Sequence, residues 1–240
     1  MAKSRASNAD RPRHPPFDDR VDAGKQLASV LPGDLVEPIV LGVPRGGVPV
    51  ASLVAIHLGA PLDVLVARRV GAPSEPELGI AAVAEGGIRA VDAEALRASG
   101  VTSTELDRLV DAEEAEVARR VDRYRAGRPL PPVHDRDVVL VDDRLATGLT
   151  ADTAVQALRR VDAQRVILAV PVCARDVARR LRDQVETLVC VIEAEGIGGV
   201  ADVGRWYGSA APTSDDEVVE LLQRARARRG DPGPLRLQGD

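Results

Sequence analysis

Residues 137–153 read DVVLVDDRLATGLTADT. Four apolar residues, 138–141, run without alternation into two adjacent carboxylates, Asp142 and Asp143. Such a run reads as a strand buried on both faces. The segment ADTAVQALRRV at 151–161 then repeats apolar residues at helical spacing, with Ala151, Ala154, Val155, Leu158 and Val161 on one side. A strand, a tight turn and a helix in that order belong to a parallel α/β sheet. Ligands of such sheets sit beyond the carboxyl ends of the strands, where Asp142 and Asp143 stand.

The same alternation extends outward in both directions. Upstream, PIVLGVP at 38–44 predicts a buried strand, RGG a turn, and VPVASLVAIHLG at 48–59 a helix with Pro49 in its first turn. PLDVLVARR at 61–69 predicts one further strand, and residues 70–77, with Pro73 and Pro76, a loop. GIAAVAEGGIRAV at 79–91 reads as two short strands around Gly86 and Gly87. A long helix starts after Thr102, with Glu105 completing a capping box. Leu106, Val110, Val117, Val121 and Tyr124 share one face of it, and Gly127 stops it. Its arginine-rich stretch RRVDRYRAGR at 119–128 reads as the solvated side of that helix. Downstream come a strand (165–172), a helix (174–184), a strand (187–192) and a last helix (215–225) capped by Ser214 and Glu217. A first helix fits residues 18–31. The predicted fold class is α/β, a central, mostly parallel sheet flanked by helices. Residues 1–16 are expected as a disordered arm, 17–225 as the domain and 226–240 as a flexible tail.

Composition narrows the function. The chain has 240 residues, 45% hydrophobic but only 2% aromatic, so Val, Leu, Ile and Ala must form the core. A net charge of −5 argues against a nucleic-acid sleeve or docking on an anionic membrane. Cys173 and Cys190 form no C-x-x-C pair and read as buried thiols of a reducing compartment. The N-terminus lacks the apolar core of a signal peptide, and the longest apolar stretch, 166–174, is too short to span a bilayer. A soluble, cytoplasmic protein is expected.

The turn after Asp143 is built for phosphate. Helix N-termini and consecutive free N–H groups attract anions. Thr147 and Thr150 add hydroxyls, and Gly148 lets the backbone approach closely. Carboxylates repel phosphate, so the two acids should serve another part of the ligand. Sugar hydroxyls suit them, because an ionised carboxylate only accepts hydrogen bonds. A ribose bearing a 5′-phosphate satisfies both halves. The same residue types also cap loops and helix starts, so spacing alone leaves that plainer reading open.

At these residues the chain resembles a family. An apolar strand, VDD, two residues, ATG, one residue and T is similar to the phosphoribosyl pyrophosphate (PRPP) signature of type I phosphoribosyltransferases. FDDRVDAGKQLA, LGVPRGGVPVA, DVLVARRVGAPSEPELGIAAVAEGG and VGRWYGSAAPTSDDEVVELL resemble a poorly characterised prokaryotic branch of that superfamily, over about residues 17–222. The resemblance implies a phosphoribosyltransferase-like core with a small hood from terminal and inserted segments. It implies transfer of a 5-phosphoribosyl group from PRPP to a nitrogenous acceptor, a base or amine, with release of pyrophosphate. A non-catalytic PRPP-binding regulator and a phosphorylated-sugar hydrolase are the other readings. Asp142 and Asp143 would hold the ribose hydroxyls as the catalytic pair. Ala146, Thr147, Gly148, Leu149 and Thr150 would hold the 5′-phosphate. PRGG at 44–47 would form the pyrophosphate loop, Arg45 supplying charge and Gly46 and Gly47 bare N–H groups. Arg68 and Arg69 are candidates for the same pyrophosphate. Mg²⁺ would be bound mainly through PRPP, with no protein ligand assigned. Residues 70–77 would act as a lid, Trp206 and Tyr207 would stack on the acceptor, and Glu85 would take the acceptor's proton or simply serve a turn. The resemblance leaves room for homo-oligomerisation. Leu149 departs from the family's usual Gly or Ala, and Val200 and Ala210 stand where further aromatics usually flank the Trp-Tyr pair.

Other motifs are weaker. GIGGVA at 196–201 fits a dinucleotide fingerprint, but no helix is evident after it and Glu193 and Glu195 crowd it. No G-x-x-x-x-G-K-[ST] occurs, and His14, His57 and His134 are scattered without metal spacing.

Overall fold

The computed structural model describes residues 15–230 except 196, 198, 199 and 210. The expected arm up to residue 14, part of the GIGGVA stretch and the last ten residues therefore lie outside the described residues.

Five parallel strands form the central sheet: β1 (Ile39–Gly42), β2 (Leu62–Val64), β6 (Asp137–Val141), β7 (Arg165–Ala174) and β8 (Thr187–Ala194). Their order is β2-β1-β6-β7-β8. The chain leaves β1 toward one edge through α2 (Gly47–Leu58) and leaves β6 toward the other through α5 (Leu149–Arg160) and α6 (Arg175–Leu181). The direction of winding thus reverses between β1 and β6, which pair in register from Ile39↔Val138 to Gly42↔Val141. A crevice opens where two such connections diverge.

Both sheet faces are covered, which is why the strands carry near-continuous apolar runs. Ile39, Leu41, Val138, Leu140, Val166 and Leu168 pack on the side of α5 and α6. Val40, Val139, Val141, Ile167 and Ala169 pack on the opposite side with α2 and the last helix, α7 (Asp215–Arg228). α7 outruns its expected end at residue 225 by three residues.

The inserted segment differs from its sequence reading. PLDVLVARR is not one strand. Its first half is β2, and the rest enters a separate antiparallel sheet, β3 (Ala67–Ala72), β4 (Glu75–Ala84) and β5 (Ile88–Val91). The apolar run is unbroken because Leu65 and Val66 are buried in opposite cores as the chain crosses over. Residues 70–77, expected as a loop and lid, instead form the β3–β4 hairpin end, with pairing as far as Ala72↔Glu75. Its turn signals were real, but Pro73 and Ser74 make only a tight turn. A short helix absent from the sequence reading, α3 (Ala93–Ser99), is capped by Asp92, and α4 (Ser103–Arg125) begins with the expected Thr102–Glu105 box.

The arginine-rich stretch of α4 is not simply a solvated face. Arg125 is almost fully buried, bonding Asp63 (3.2 Å), Glu85 (2.5 and 2.9 Å) and the Val64 carbonyl (2.5 Å). Glu85 also accepts from the Val66 N–H (2.8 Å). It thereby anchors the crossing between the two sheets, a role beyond that of a turn residue. Among the described residues no helix is long and apolar enough to cross a membrane.

Three of the chain's four aromatic residues form a hood cluster: Phe17, Trp206 and Tyr207, with Ala23, Val172 and Val203. Phe17 and Tyr207 form a parallel bridge. The Phe17 N–H donates to Trp206 O (3.1 Å) and the Gly208 N–H to Phe17 O (2.9 Å). A 3₁₀ helix (Val200–Arg205) leads into this strap.

Candidate functional site

A cleft of about 490 Å³ lies at the carboxyl ends of β1 and β6, at the reversal of winding. The Val43 N–H donates to Val141 O (2.8 Å), so the two loops that follow these strands stand side by side. Gly46, the last residue before α2, shows how tightly. A Cβ there would lie 2.3 Å from Asp143 Oδ2, so only glycine fits.

Residues 144–150 form the second wall. Leu145 is tied to β7, its N–H donating to Val172 O (2.8 Å). Among the described residues, the N–H groups of Ala146, Thr147, Gly148, Leu149 and Thr150 have no acceptor in the protein. Gly148 sits at φ +75° and turns this run into the N-terminus of α5. Arg180, on α6, donates to the Thr147 carbonyl and holds the loop from outside. Such a nest of free N–H groups at a helix start is an anion site.

The loop after β1 is a second, smaller one. Its Pro44–Arg45 peptide is cis. The Gly47 N–H is satisfied by Val43 O (3.0 Å), so Gly47 is not a bare donor as expected. Arg45 and Gly46 are the residues here whose N–H groups lack a partner among the described residues. Arg45 Nη1 stands 3.9 Å from Asp215 on the first turn of α7.

The two carboxylates differ sharply. Arg20, from α1 (Arg20–Ser29), reaches Asp143 Oδ2 through Nη2 (2.8 Å) and Nε (3.1 Å), and the Tyr207 hydroxyl donates to the Asp143 carbonyl (2.6 Å). Burial, and then the charge of Asp143, push that hydroxyl up, so it stays a donor. Asp142 has no such cation. Desolvation, then the neighbouring Asp143, push its carboxyl up to about 8. Its Oδ1 accepts from the Asp143 N–H (2.8 Å).

The expected site residues divide accordingly. Asp142, Asp143, Arg45, Gly46, Arg68, Arg69, Ala146, Thr147, Gly148 and Thr150 line the cleft. Arg68 is paired with Glu113, and Arg69 bonds the Glu77 carbonyl (3.1 Å). Leu149 does not line the cleft, so its bulk leaves the cavity clear. Trp206 and Tyr207 are corrected from stacking residues to core. They are 3% and 1% exposed, and no aromatic side chain lines the cleft among the described residues. Sequence reading missed Arg20, Arg120 and Arg144, which also line it. Arg144 could have been found from its place inside the motif. Arg20 and Arg120 have no local signal, since folding alone brings them there.

Six arginines and two aspartates therefore face one cleft. That surplus of positive charge, with two N–H nests and a carboxylate pair between them, suits a sugar carrying phosphate at both ends. Among the described residues no group of three His, Cys, Asp or Glu gathers to hold a metal ion.

Comparison with known proteins agrees with this geometry. The profile described as "Phosphoribosyl transferase domain" matches residues 20–205. Over 227 residues the chain is 40% identical to a provisionally named phosphoribosyl transferase of Mycobacterium tuberculosis, seen alike in two strains. That match covers 93% of this chain and 50% of the relative, so the chain spans about half the length of those proteins. Among solved structures, the protein TT1426 from Thermus thermophilus is 37% identical, with a TM-score of 0.69 over 87% of this chain and 98% of that one.

Proposed function

This chain belongs to the phosphoribosyl transferase domain family, and on that premise we propose that it binds PRPP and transfers its 5-phosphoribosyl group to a nitrogenous acceptor. The observation that carries the proposal is the pairing of two N–H nests across Asp142 and Asp143. The nest at 146–150 takes the 5′-phosphate, the carboxylates accept from the ribose hydroxyls, and Arg45 and Gly46 face the pyrophosphate. In the reaction the C1–O bond to pyrophosphate breaks and a C1–N bond forms. Pyrophosphate leaves with the bonding pair, and the acceptor nitrogen gives up a proton. The transition state carries oxocarbenium character at C1. The protein's contribution is to fix the diol and the phosphate while charge moves between them. Mg²⁺, carried in mainly by the ligand's own phosphate oxygens, would neutralise the leaving group. Asp142 and Asp143, the carboxylates that line the cleft, are the residues that would be available to help hold the ion.

The absence of an aromatic wall among the described residues favours one other reading, a protein that binds PRPP without transferring from it. Two measurements separate these readings from each other and from a hydrolase. PRPP and Mg²⁺ are offered with purines, pyrimidines and simple amines, pyrophosphate release is followed, and PRPP binding is measured by calorimetry. Release that depends on one acceptor supports transfer. Binding with no release by any acceptor supports the binder, release without any acceptor supports a hydrolase, and no binding overturns all three.

A further inference from the structure

α4 carries a buried stripe of Val110, Val117 and Tyr124, and Arg120 stands on it, only 9% exposed. A guanidinium in such a place is costly unless its nitrogens are satisfied. Nε is satisfied, donating to Glu116 Oε1 (2.7 Å). Nη1 and Nη2 meet no protein group among the described residues, and Arg120 lines the cleft. Its fork is therefore held by its stem and directed at the cavity.

The neighbouring arginines are more committed. Arg68 gives its Nε to Glu113, and Arg69 is bound to Glu77. Arg45 touches only Asp215, at 3.9 Å. Arg45 and Arg120 both bear electrostatically on the Tyr124 hydroxyl, which donates to that same Asp215 (2.6 Å), so they share a corner of the cleft. That corner adjoins the loop after β1. Two terminal guanidinium nitrogens in one plane match two oxygens of a phosphate group.

We propose that Arg120 is a binding residue for the pyrophosphate group, working with Arg45 from the same corner of the cleft. The inference rests on the function proposed above, but its test does not require transfer.

Wild type, Arg120→Gln and Arg120→Lys are titrated calorimetrically with magnesium pyrophosphate and, separately, with ribose 5-phosphate. Arg120→Gln should weaken pyrophosphate binding roughly tenfold or more, the scale of a hydrogen bond to a charged group. Ribose 5-phosphate binding should stay within about twofold. Arg120→Lys keeps the charge without the fork and should recover part of the loss. It also keeps the test open if Arg120→Gln fails to fold, since it should then bind pyrophosphate severalfold more weakly than wild type. Unchanged pyrophosphate affinity in a folded variant, or equal losses for both ligands, would overturn the assignment. A wild type that binds pyrophosphate but transfers nothing leaves Arg120 in place and removes the transferase reading. A wild type that binds neither PRPP nor pyrophosphate removes both.

Discussion

Arg20 and Asp143 meet across 123 residues of sequence, with both guanidinium contacts converging on a single carboxylate oxygen, Oδ2. Among the described residues Oδ1 receives no hydrogen bond, so one oxygen is anchored and the other is left for a ligand. Asp143→Ala should therefore cost about 1.5–3 kcal/mol of PRPP binding, as for a charged hydrogen bond. Calorimetry giving equal affinities would remove Asp143 from the ribose site.

Gly46→Ala would place a methyl group 2.3 Å from Asp143 Oδ2. The loop after β1 or the carboxylate must then move, at a cost of about 1–3 kcal/mol. PRPP affinity should fall while the far-ultraviolet circular dichroism stays native. An alanine variant that binds as tightly as wild type would show that the two loops part easily.

Asp142 predicts a pH effect on stability. Its carboxyl is raised to about 8 in the folded protein, against ~3.9 in an unfolded chain. Between these values the folded state holds a proton that the unfolded state has released, so stability falls as pH rises. Below about pH 4 both states are protonated and the penalty is absent; above about pH 8 it is complete. Asn does not titrate. The stability of Asp142→Asn relative to wild type, from urea titrations without ligand, should therefore grow in the variant's favour from pH 4 to pH 8. A difference constant over that range would contradict the burial of this charge.

Trp206 is the only tryptophan and lies in the hood core, so its emission should be blue-shifted in the folded protein. Trp206→Ala should cost about 3–5 kcal/mol of stability. Variant protein that remains folded should bind an acceptor as wild type does. Loss of acceptor affinity at unchanged stability would return the indole to the binding surface.

Arg125 is the most consequential buried cation. Arg125→Met would leave Asp63 and Glu85 without their main partner and should cost about 3–5 kcal/mol in a denaturant titration. A loss below about 1 kcal/mol would mean that water or Arg226, which already contacts Asp63 at 3.3 Å, replaces it.

The sheet was legible because its strands are buried on both faces and so carry unbroken apolar runs. The same property hid the boundary between β2 and β3, where an apolar run continues through Leu65 and Val66 from one core into another. The phosphate nest was legible because its signal is local, a strand end, a glycine and a helix start within a dozen residues. Arg20, Arg120 and Arg125 were not, since nothing beside them in sequence distinguishes an arginine facing a cleft or a buried acid from one facing water. Trp206 and Tyr207 misled for a related reason. A chain emerging at the ligand end of a sheet can still turn its rings inward, and here Phe17 from the other end of the domain supplies the cover.

That cover bears on where the unit can be cut. The matched family segment starts at Arg20 and stops at Arg205. Phe17 and Tyr207, the two halves of the strap beneath Asp143, fall just outside those limits. A fragment trimmed to the matched residues would keep both anion nests yet unroof Val172 and release the aspartate backbone from its tyrosine. A transplantable module therefore needs the clasp at its start as well as α7, whose Val218 and Leu222 close one face of the sheet, and a graft into another host would have to carry residues 17–228.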